Sequence, residues 1–200
     1  ARQRELVVLR MEQEIKFNRA IAVAQNRQEF IDYVLSGQPE PPYYFARMKK
    51  ENKEGPALLT GLPIPKKVSP DEIERLAGQK NSIVIDGRAW QEFRHGHIKG
   101  ALFAPLDKYF IMVTGSYIKP GTEIALITDE DLVVPTATAL TRIGHDRITS
   151  YITPEQFAEY YNNKKALDSI EEISVSELKA AQSRGNGHIL DVRNSSELVE

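Results

Sequence analysis

The sequence contains no cysteine in its 200 residues. This absence excludes disulfide bonds, thiolate metal ligands and every mechanism that uses a cysteine nucleophile. Long apolar runs are missing too, since stretches such as residues 124–127 are far too short to span a bilayer. The net charge is only −2, which gives no whole-chain electrostatic attraction for nucleic acid. No signal peptide opens the sequence, so we expect a cytoplasmic protein with neither a membrane nor a nucleic-acid partner.

Residues 1–54 are highly charged, with apolar residues at helical spacing, and they predict amphipathic helices. The apolar positions are Leu6, Leu9, Ile15, Ala22, Phe30, Ile31 and Val34, and a stop follows at Gly37 and Pro39. A further helix is predicted over residues 43–52, where Tyr43–Phe45 precede basic residues. Packing of these aromatic side chains on a neighbouring domain is favoured over nucleic-acid stacking, because the whole chain is slightly acidic. Residues 55–67, rich in proline and glycine, predict a linker.

From Val68 onward, short apolar strands alternate with helical patterns. The strands are predicted at 82–86, 100–104, 123–128 and 147–152, and the helices begin near Pro70, Ala89, Leu106, Val133 and Pro154. Such alternation is typical of a parallel sheet covered by helices. The predicted fold class is therefore α/β, preceded by a helical segment.

The opening of this α/β unit is repeated further along the chain. Ile83–Arg88 is echoed by His188–Arg193 at a constant offset of 105 residues (Asp191 less Asp86). Residues matching in the same register include Ser69/Ser174, Glu72/Glu177, Asn81/Asn186 and Glu92/Glu197. We therefore predict one complete domain over 68–165, and a linker with the truncated start of a second over 166–200. The pairs Lys164-Lys165 and Glu171-Glu172 predict solvated linker faces.

The motifs of the repeat resemble the rhodanese family, whose order is Asp-Val-Arg, Glu-Phe or Glu-Tyr, and Gly-His-Ile-x-Gly-Ala. The corresponding residues here are Asp86-Gly87-Arg88, Glu92-Phe93 and Gly96-His97-Ile98-Lys99-Gly100-Ala101. We expect structural roles for these residues. Asp86 can accept backbone N–H groups of the next turn, Arg88 can pair with an acid, and His97 can bond a loop carbonyl. A lone imidazole has no nucleophile to serve.

The resemblance implies a catalytic cysteine in the loop after the central strand, where amides at a helix N-terminus stabilise its thiolate. That loop here contains Thr128, Asp129, Glu130 and Asp131, with neither cysteine nor arginine. We expect the carboxylates to satisfy helix N–H groups, to oppose the dipole and to repel thiosulfate or a persulfide. The alternative, that the carboxylates hold a cation or form an acid/base pair, stays open. No catalytic residue is assigned.

Residues 26–56 resemble the tail of a metallo-β-lactamase-fold module, and more narrowly bacterial fusions of a persulfide-dioxygenase-like domain with tandem rhodanese domains. The resemblance implies iron or zinc in the parent protein. Here the only His-x-His is His95-Gly96-His97, and with His145 and His188 it forms no convincing ligand set. We therefore expect no cofactor in this chain, and residues 1–54 are predicted to be the helical tail of that module.

Three interpretations follow. The first is a non-catalytic rhodanese-like domain with a structural, docking or regulatory role in a sulfur-metabolising fusion. In the second, the parent is an enzyme, either an iron persulfide dioxygenase or a zinc hydrolase. The third is an interaction module, in which the helices of residues 1–52 expose apolar side chains and favour homo-oligomers.

Overall fold

The structure is a computed structural model and describes residues 11–36, 38, 41–56, 58–162, 167–185 and 188–193. The chain forms two compact units, 1–42 and 43–200, which are described separately. Several predictions fall outside the described residues, namely those on Leu6, Leu9, Gly37, Pro39, Lys164, Lys165, Asn186 and Glu197.

In the first unit, residues 11–17 are helical and two short helices follow, α1 (Arg19–Val23) and α2 (Arg27–Leu35). Each short helix begins after an asparagine whose side chain accepts a backbone N–H, Asn18 from Ala20 at 3.0 Å and Asn26 from Gln28 at 3.0 Å. Neither helix buries a residue within the unit. The predicted helices are therefore present, with most of their apolar side chains exposed.

The second unit contains the α/β domain. Its elements in chain order are α3 (Tyr43–Glu54), β1 (Lys66–Lys67), α4 (Pro70–Ala77), β2 (Ser82–Asp86), α5 (Trp90–His95), β3 (Leu102–Phe103), α6 (Phe110–Tyr117), β4 (Glu123–Ile127), a 3₁₀ turn (Glu130–Leu132), α7 (Val133–Arg142), β5 (Ile148–Ile152), α8 (Pro154–Tyr161) and α9 (Val175–Ser183).

The sheet has the order β1-β5-β4-β2-β3, and every neighbouring pair is parallel. Apolar side chains alternate between its two faces, as the two-residue period of a strand requires. Ile124 and Leu126 of β4 join the core beneath α6 and α7, whereas Ala125 and Ile127 join the core beneath α4 and α8. Because both faces are covered, β4 is almost completely buried. The predicted α/β fold with a parallel sheet covered on both faces is confirmed.

Three elements differ from the prediction. The edge strand β1 was missed, since two lysines carry no strand pattern. The helix predicted from Leu106 begins four residues later, because Asp107 accepts the Tyr109 N–H at 2.8 Å in a preceding turn. Residues 188–193, which the repeat matches to the end of β2 and its turn, are exposed and not in a strand, and no partner strand pairs with them in the described part of the chain. A strand needs such a neighbour to satisfy its backbone.

Within the described ranges, no helix is both long enough and apolar enough to cross a membrane.

Candidate functional site

The carboxyl ends of β2 and β4 meet at one edge of the sheet, where ligands bind in open parallel sheets. Asp86 pairs in register with Ile127, so the Asp-Gly-Arg turn lies beside the loop that follows β4. The Gly87 N–H donates to the Ile127 carbonyl at 2.9 Å. A Cβ at Gly87 would lie 3.1 Å from that oxygen, and glycine therefore permits this close approach. The sequence-predicted site residues of the two strands are thus brought together.

The loop after β4 is short and folds back on itself. Thr128 is buried and its N–H donates to Ile152 at 3.1 Å, which leaves only Asp129 before the 3₁₀ turn. The N–H of Leu132 donates to the Asp129 carbonyl at 3.0 Å, and that of Val133 to the Glu130 carbonyl. These two amides are committed to the turn. They cannot also point into an anion-binding cup of the kind that stabilises a thiolate.

The carboxylates of the loop behave differently from the expectation that they cap the helix. The Asp129 carboxylate accepts no hydrogen bond from the turn that it precedes, and the turn is closed by main-chain bonds alone, one of them to the Asp129 carbonyl. Glu130 instead accepts hydrogen bonds from Lys67 Nζ at 2.7 Å and from Tyr151 Oη at 3.1 Å. The loop is therefore tied to the edge strand β1 and to β5.

These contacts shift the pKa values of Glu130, Lys67 and Tyr151. The hydrogen bond from Lys67, with that from Tyr151, lowers the pKa of Glu130 below its usual range. The same bond to Glu130 raises the pKa of Lys67. Desolvation, with Glu130 as a further cause, raises the pKa of the Tyr151 phenol. A charged carboxylate and a protonated phenol thus stand at the loop near neutral pH.

The Asp86–Arg88 pair is the most buried ionic contact at this edge. Its side chains are 0% and 6% exposed, and Arg88 Nη2 lies 2.7 Å from Asp86 Oδ2. The Arg88 backbone N–H also donates to Asp86 at 3.1 Å, as the sequence predicts for a turn after a strand. Arg88 further donates to the Gly96 carbonyl at 2.8 Å, and its guanidinium lies 3.7 Å from the Phe157 ring centroid. Arg88 therefore joins the turn to α5 and α8.

The remaining motif residues make local contacts. Glu92 accepts the Ala89 N–H at 3.2 Å and so closes the N-terminus of α5. His97 Nδ1 lies 2.8 Å from the Phe93 carbonyl, which can only accept, so Nδ1 carries the proton. The His97 ring also stacks on Phe93 at 4.0 Å. Gly100 has a left-handed φ of +78°, which favours glycine. Each position has a contact or conformation that serves the fold.

Both imidazoles of the His-x-His pair contact the backbone of α5. The Nδ1 atoms of His95 and His97 face backbone carbonyls of α5, those of Gln91 and Phe93 respectively. Across the part of the chain that the structure describes, no three His, Cys, Asp or Glu side chains are arranged to hold a metal ion. The described residues therefore do not fit the iron or zinc that the sequence resemblance implies for the parent protein.

The sequence did not predict that the segment after the domain binds helix α5 through Glu172. Glu172 is exposed, as predicted, but it also accepts the Trp90 Nε1–H at 2.9 Å and pairs with Arg94 at 2.8 Å. Just before it, His97 and Asp168 exchange two backbone hydrogen bonds of 2.9 Å. The segment is therefore fastened to α5. No local pattern signals a contact between residues about 80 positions apart.

Comparison with known proteins supports the α/β fold described above. Residues 69–153 match the family model of the rhodanese-like domain. No curated protein matches the chain.

Among solved structures, a metallo-beta-lactamase from Staphylococcus aureus subsp. aureus COL is 34% identical with a TM-score of 0.57. The match covers 72% of this chain but 39% of that one, so the chain corresponds to part of that protein. An anaerobic ergothioneine biosynthesis enzyme from Chlorobium limicola, in complex with trimethyl histidine, is 20% identical over 66% of this chain and 35% of that one, with a TM-score of 0.43. EanB/C339A/C370A with hercynine is 20% identical over 69% and 36%, with a TM-score of 0.46. The last two superpose too weakly to bear on function.

Proposed function

We propose, on the premise that residues 69–153 form a rhodanese-like domain, that this domain does not transfer sulfur and instead docks neighbouring modules within a longer polypeptide. A rhodanese-like domain needs a thiolate that attacks a sulfur donor and a cup of amides that stabilises the anion. The chain contains no cysteine at any position. The N–H groups of Leu132 and Val133 close a 3₁₀ turn, and three acidic residues stand in the loop.

The observation that carries the proposal is the placement of Glu130. Its carboxylate is held charged by Lys67 and Tyr151 in the loop where the family binds an anion. A thiosulfate or persulfide anion that entered the loop would meet the Glu130 carboxylate, and like charges repel. The loop would also have to break the contacts with Lys67 and Tyr151 to open. The domain is thus suited to keep a closed loop, not to admit thiosulfate.

Thiosulfate binding and turnover test the proposal directly. The 200-residue chain should show no thiosulfate:cyanide sulfurtransferase activity above buffer, while an active rhodanese assayed in parallel gives the positive control. Amide NMR signals of residues 128–133 should not move when thiosulfate is added at neutral pH. Turnover above buffer, or saturable shifts confined to these residues, would refute the non-catalytic reading.

A docking role is supported by contacts on both flanks of the domain. Before it, α3 packs against α6, with the Tyr44 ring lying over Gly115. After it, Glu172 binds Trp90 and Arg94. Both flanking segments thus contact helices of the α/β domain.

The segment after the domain supports a tandem arrangement. Asp191 and Arg193 reproduce the contacts of Asp86 and Arg88, with guanidinium-to-carboxylate distances of 2.7 Å in both pairs. Their environment differs, because Arg193 is 59% exposed and Arg88 is 6% exposed. The same local turn therefore forms without a surrounding core.

The apolar residues next to these two turns also support a tandem arrangement. Val84 and Ile85 are each 1% exposed in the sheet, whereas their counterparts at the offset of 105 residues, Ile189 and Leu190, are 58% and 84% exposed. Side chains that build a core in one copy lack one in the other. We infer that residues 173–193 open a second rhodanese-like unit whose remaining elements would cover them.

For the parent protein we propose a cytoplasmic, homo-oligomeric bacterial fusion in which a metallo-β-lactamase-fold core performs persulfide or thiosulfate chemistry. The 34% identity to part of the staphylococcal metallo-beta-lactamase supports this context. The alternative is a zinc-dependent hydrolase in which this part is an oligomerisation module. Metal analysis of the longer polypeptide separates them: one iron per chain favours oxygen chemistry, and two zinc ions favour hydrolysis.

A further inference from the structure

Helix α3 is held on the α/β domain by a small set of contacts at one face. No residue of the helix is fully buried. Tyr44, Arg47 and Glu51 are its partly buried residues, at the i, i+3 and i+7 spacing of one helical stripe. A charged helix with so narrow a contact stripe gains little from hydrophobic burial. The position of α3 therefore depends on the contacts that Tyr44, Arg47 and Glu51 make with the surface of the domain.

The receiving surface is built around two glycines. A Cβ at Gly115 would lie 2.7 Å from Tyr44 Cε1, so the absence of a side chain on α6 makes room for the tyrosine ring. A Cβ at Gly144, which has φ +84°, would lie 2.7 Å from Arg47 Nε. Arg47 donates to the Gly144 carbonyl and lies 3.2 Å from Asp146 Oδ2. We call Gly115, Gly144 and Asp146 the glycine socket.

A buried imidazole lies beside the socket. His145 is 4% exposed, and neither ring nitrogen has a hydrogen-bond partner in the described structure. The charged groups that face it are Arg47 from α3 and Asp146 from its own loop, while α6 presents only the backbone of Thr114. Burial first, and then Arg47, lower the pKa of His145, whereas Asp146 and the Thr114 backbone act in the opposite direction. Protonation would place a second cation beneath the Arg47 contact.

The seam between α3 and α7 is also incompletely packed. A cavity of about 230 Å³ lies there, lined by residues that include Met48 and Glu51 of α3 and Thr141 of α7. The Thr141 hydroxyl is buried without a partner. An unfilled seam with unsatisfied polar atoms lowers the cost of separating the two surfaces.

We propose that the glycine socket is a docking site for a helix that presents Tyr-x-x-Arg, that α3 is its occupant, and that protonation of His145 releases α3. The docked state holds a neutral imidazole and binds fewer protons than the released state. Docking is therefore at full strength above the ordinary pKa of 6.5 and weakens as the pH falls below it. At pH 5.5 the linkage limits the loss to about tenfold in the docking equilibrium.

Amide hydrogen exchange of the full 200-residue chain, corrected for intrinsic pH dependence, tests the inference at pH 7.5 and 5.5. We expect protection of residues 43–54 relative to β4 to fall by up to about tenfold at the lower pH. The variant His145→Leu, which removes an unpartnered polar group, should keep α3 protected at both values. His95→Gln, which changes an exposed imidazole, should behave like the unsubstituted chain. The pH-sensitive step is overturned if α3 still loses protection at pH 5.5 in His145→Leu. It is equally overturned if the protection of α3 in the unsubstituted chain does not change with pH.

Gly115→Ala tests the socket itself. Alanine favours helix formation over glycine, and the nearest atoms to the new Cβ all belong to Tyr44. We expect α6 to remain protected while α3 loses protection at pH 7.5, as it should in Tyr44→Ala. Unchanged α3 protection in both variants overturns the docking site. The inference rests on the proposed docking role, but a finding of sulfur transfer would leave this exchange result unaffected.

Discussion

Replacement of Arg88 by methionine should strongly destabilise the α/β domain. The change removes the cation that neutralises Asp86, a carboxylate with no exposed surface. It also leaves the Gly96 carbonyl without the donor that reaches it at 2.8 Å. Methionine fills a similar apolar volume against Phe157, so the loss is chiefly electrostatic.

The magnitude follows from the burial of the pair. Removal of one partner from a buried ion pair costs about 3–5 kcal/mol, because the other charge is left uncompensated. Asp86 keeps one hydrogen bond from the residue 88 backbone N–H, which places the expected loss near the lower limit, at about 3 kcal/mol. For a domain of this size, such a loss lowers the midpoint of thermal unfolding by roughly 12–24 °C.

Thermal and urea unfolding followed by circular dichroism measure this effect, and the chain provides a matched control. Arg193 makes the same contacts with Asp191 but is exposed, so Arg193→Met should leave the midpoint unchanged. The double variant Asp86→Leu/Arg88→Met should recover part of the stability, since it removes both charges together. A loss below about 1 kcal/mol in Arg88→Met, or an equal shift in Arg193→Met, would refute the argument from burial.

Two further contacts give direct readouts. Glu172→Ala should move the fluorescence emission of Trp90, the single tryptophan, to longer wavelength, because its indole N–H loses its partner and becomes hydrated. Glu171→Ala is the control, and identical spectra in the two variants would contradict the hydrogen bond between Trp90 and Glu172. Lys67→Met should raise the pKa of Glu130 towards its ordinary value, since the bond from Lys67 is the main cause of its lowering. Carboxyl NMR titration measures this, with the other glutamates as internal references, and an unchanged Glu130 titration would show that the bond does not form in solution.

The fold was largely predictable because its strands carry their own signal. The limits of Ser82–Asp86 were predicted correctly, since a continuous apolar run ends at a polar residue. The strand β1 could not be predicted, because Lys66 and Lys67 pair with Ser150 and Tyr151 from more than 80 residues away. Its existence depends on the sheet edge that receives it, and not on its own side chains.

The site was predictable in composition but not in geometry. The missing cysteine and the three loop carboxylates are plain in the sequence. The partners of Glu130 come from residues 63 and 21 positions away, and no spacing rule connects them. Sequence reasoning therefore assigned the three carboxylates to the helix N-terminus, whereas in the structure Glu130 binds Lys67 and Tyr151.

The fastening of Glu172 to α5 has a consequence for the reach of whatever follows the domain. An unattached chain from Tyr161 to Val175 could extend roughly 46–50 Å, counted at 3.3–3.6 Å per residue. Anchored at Glu172, only about 10 Å of free tether remains before α9. The volume that the next module can sample shrinks by about a hundredfold, which raises its effective concentration at nearby surfaces by the same factor.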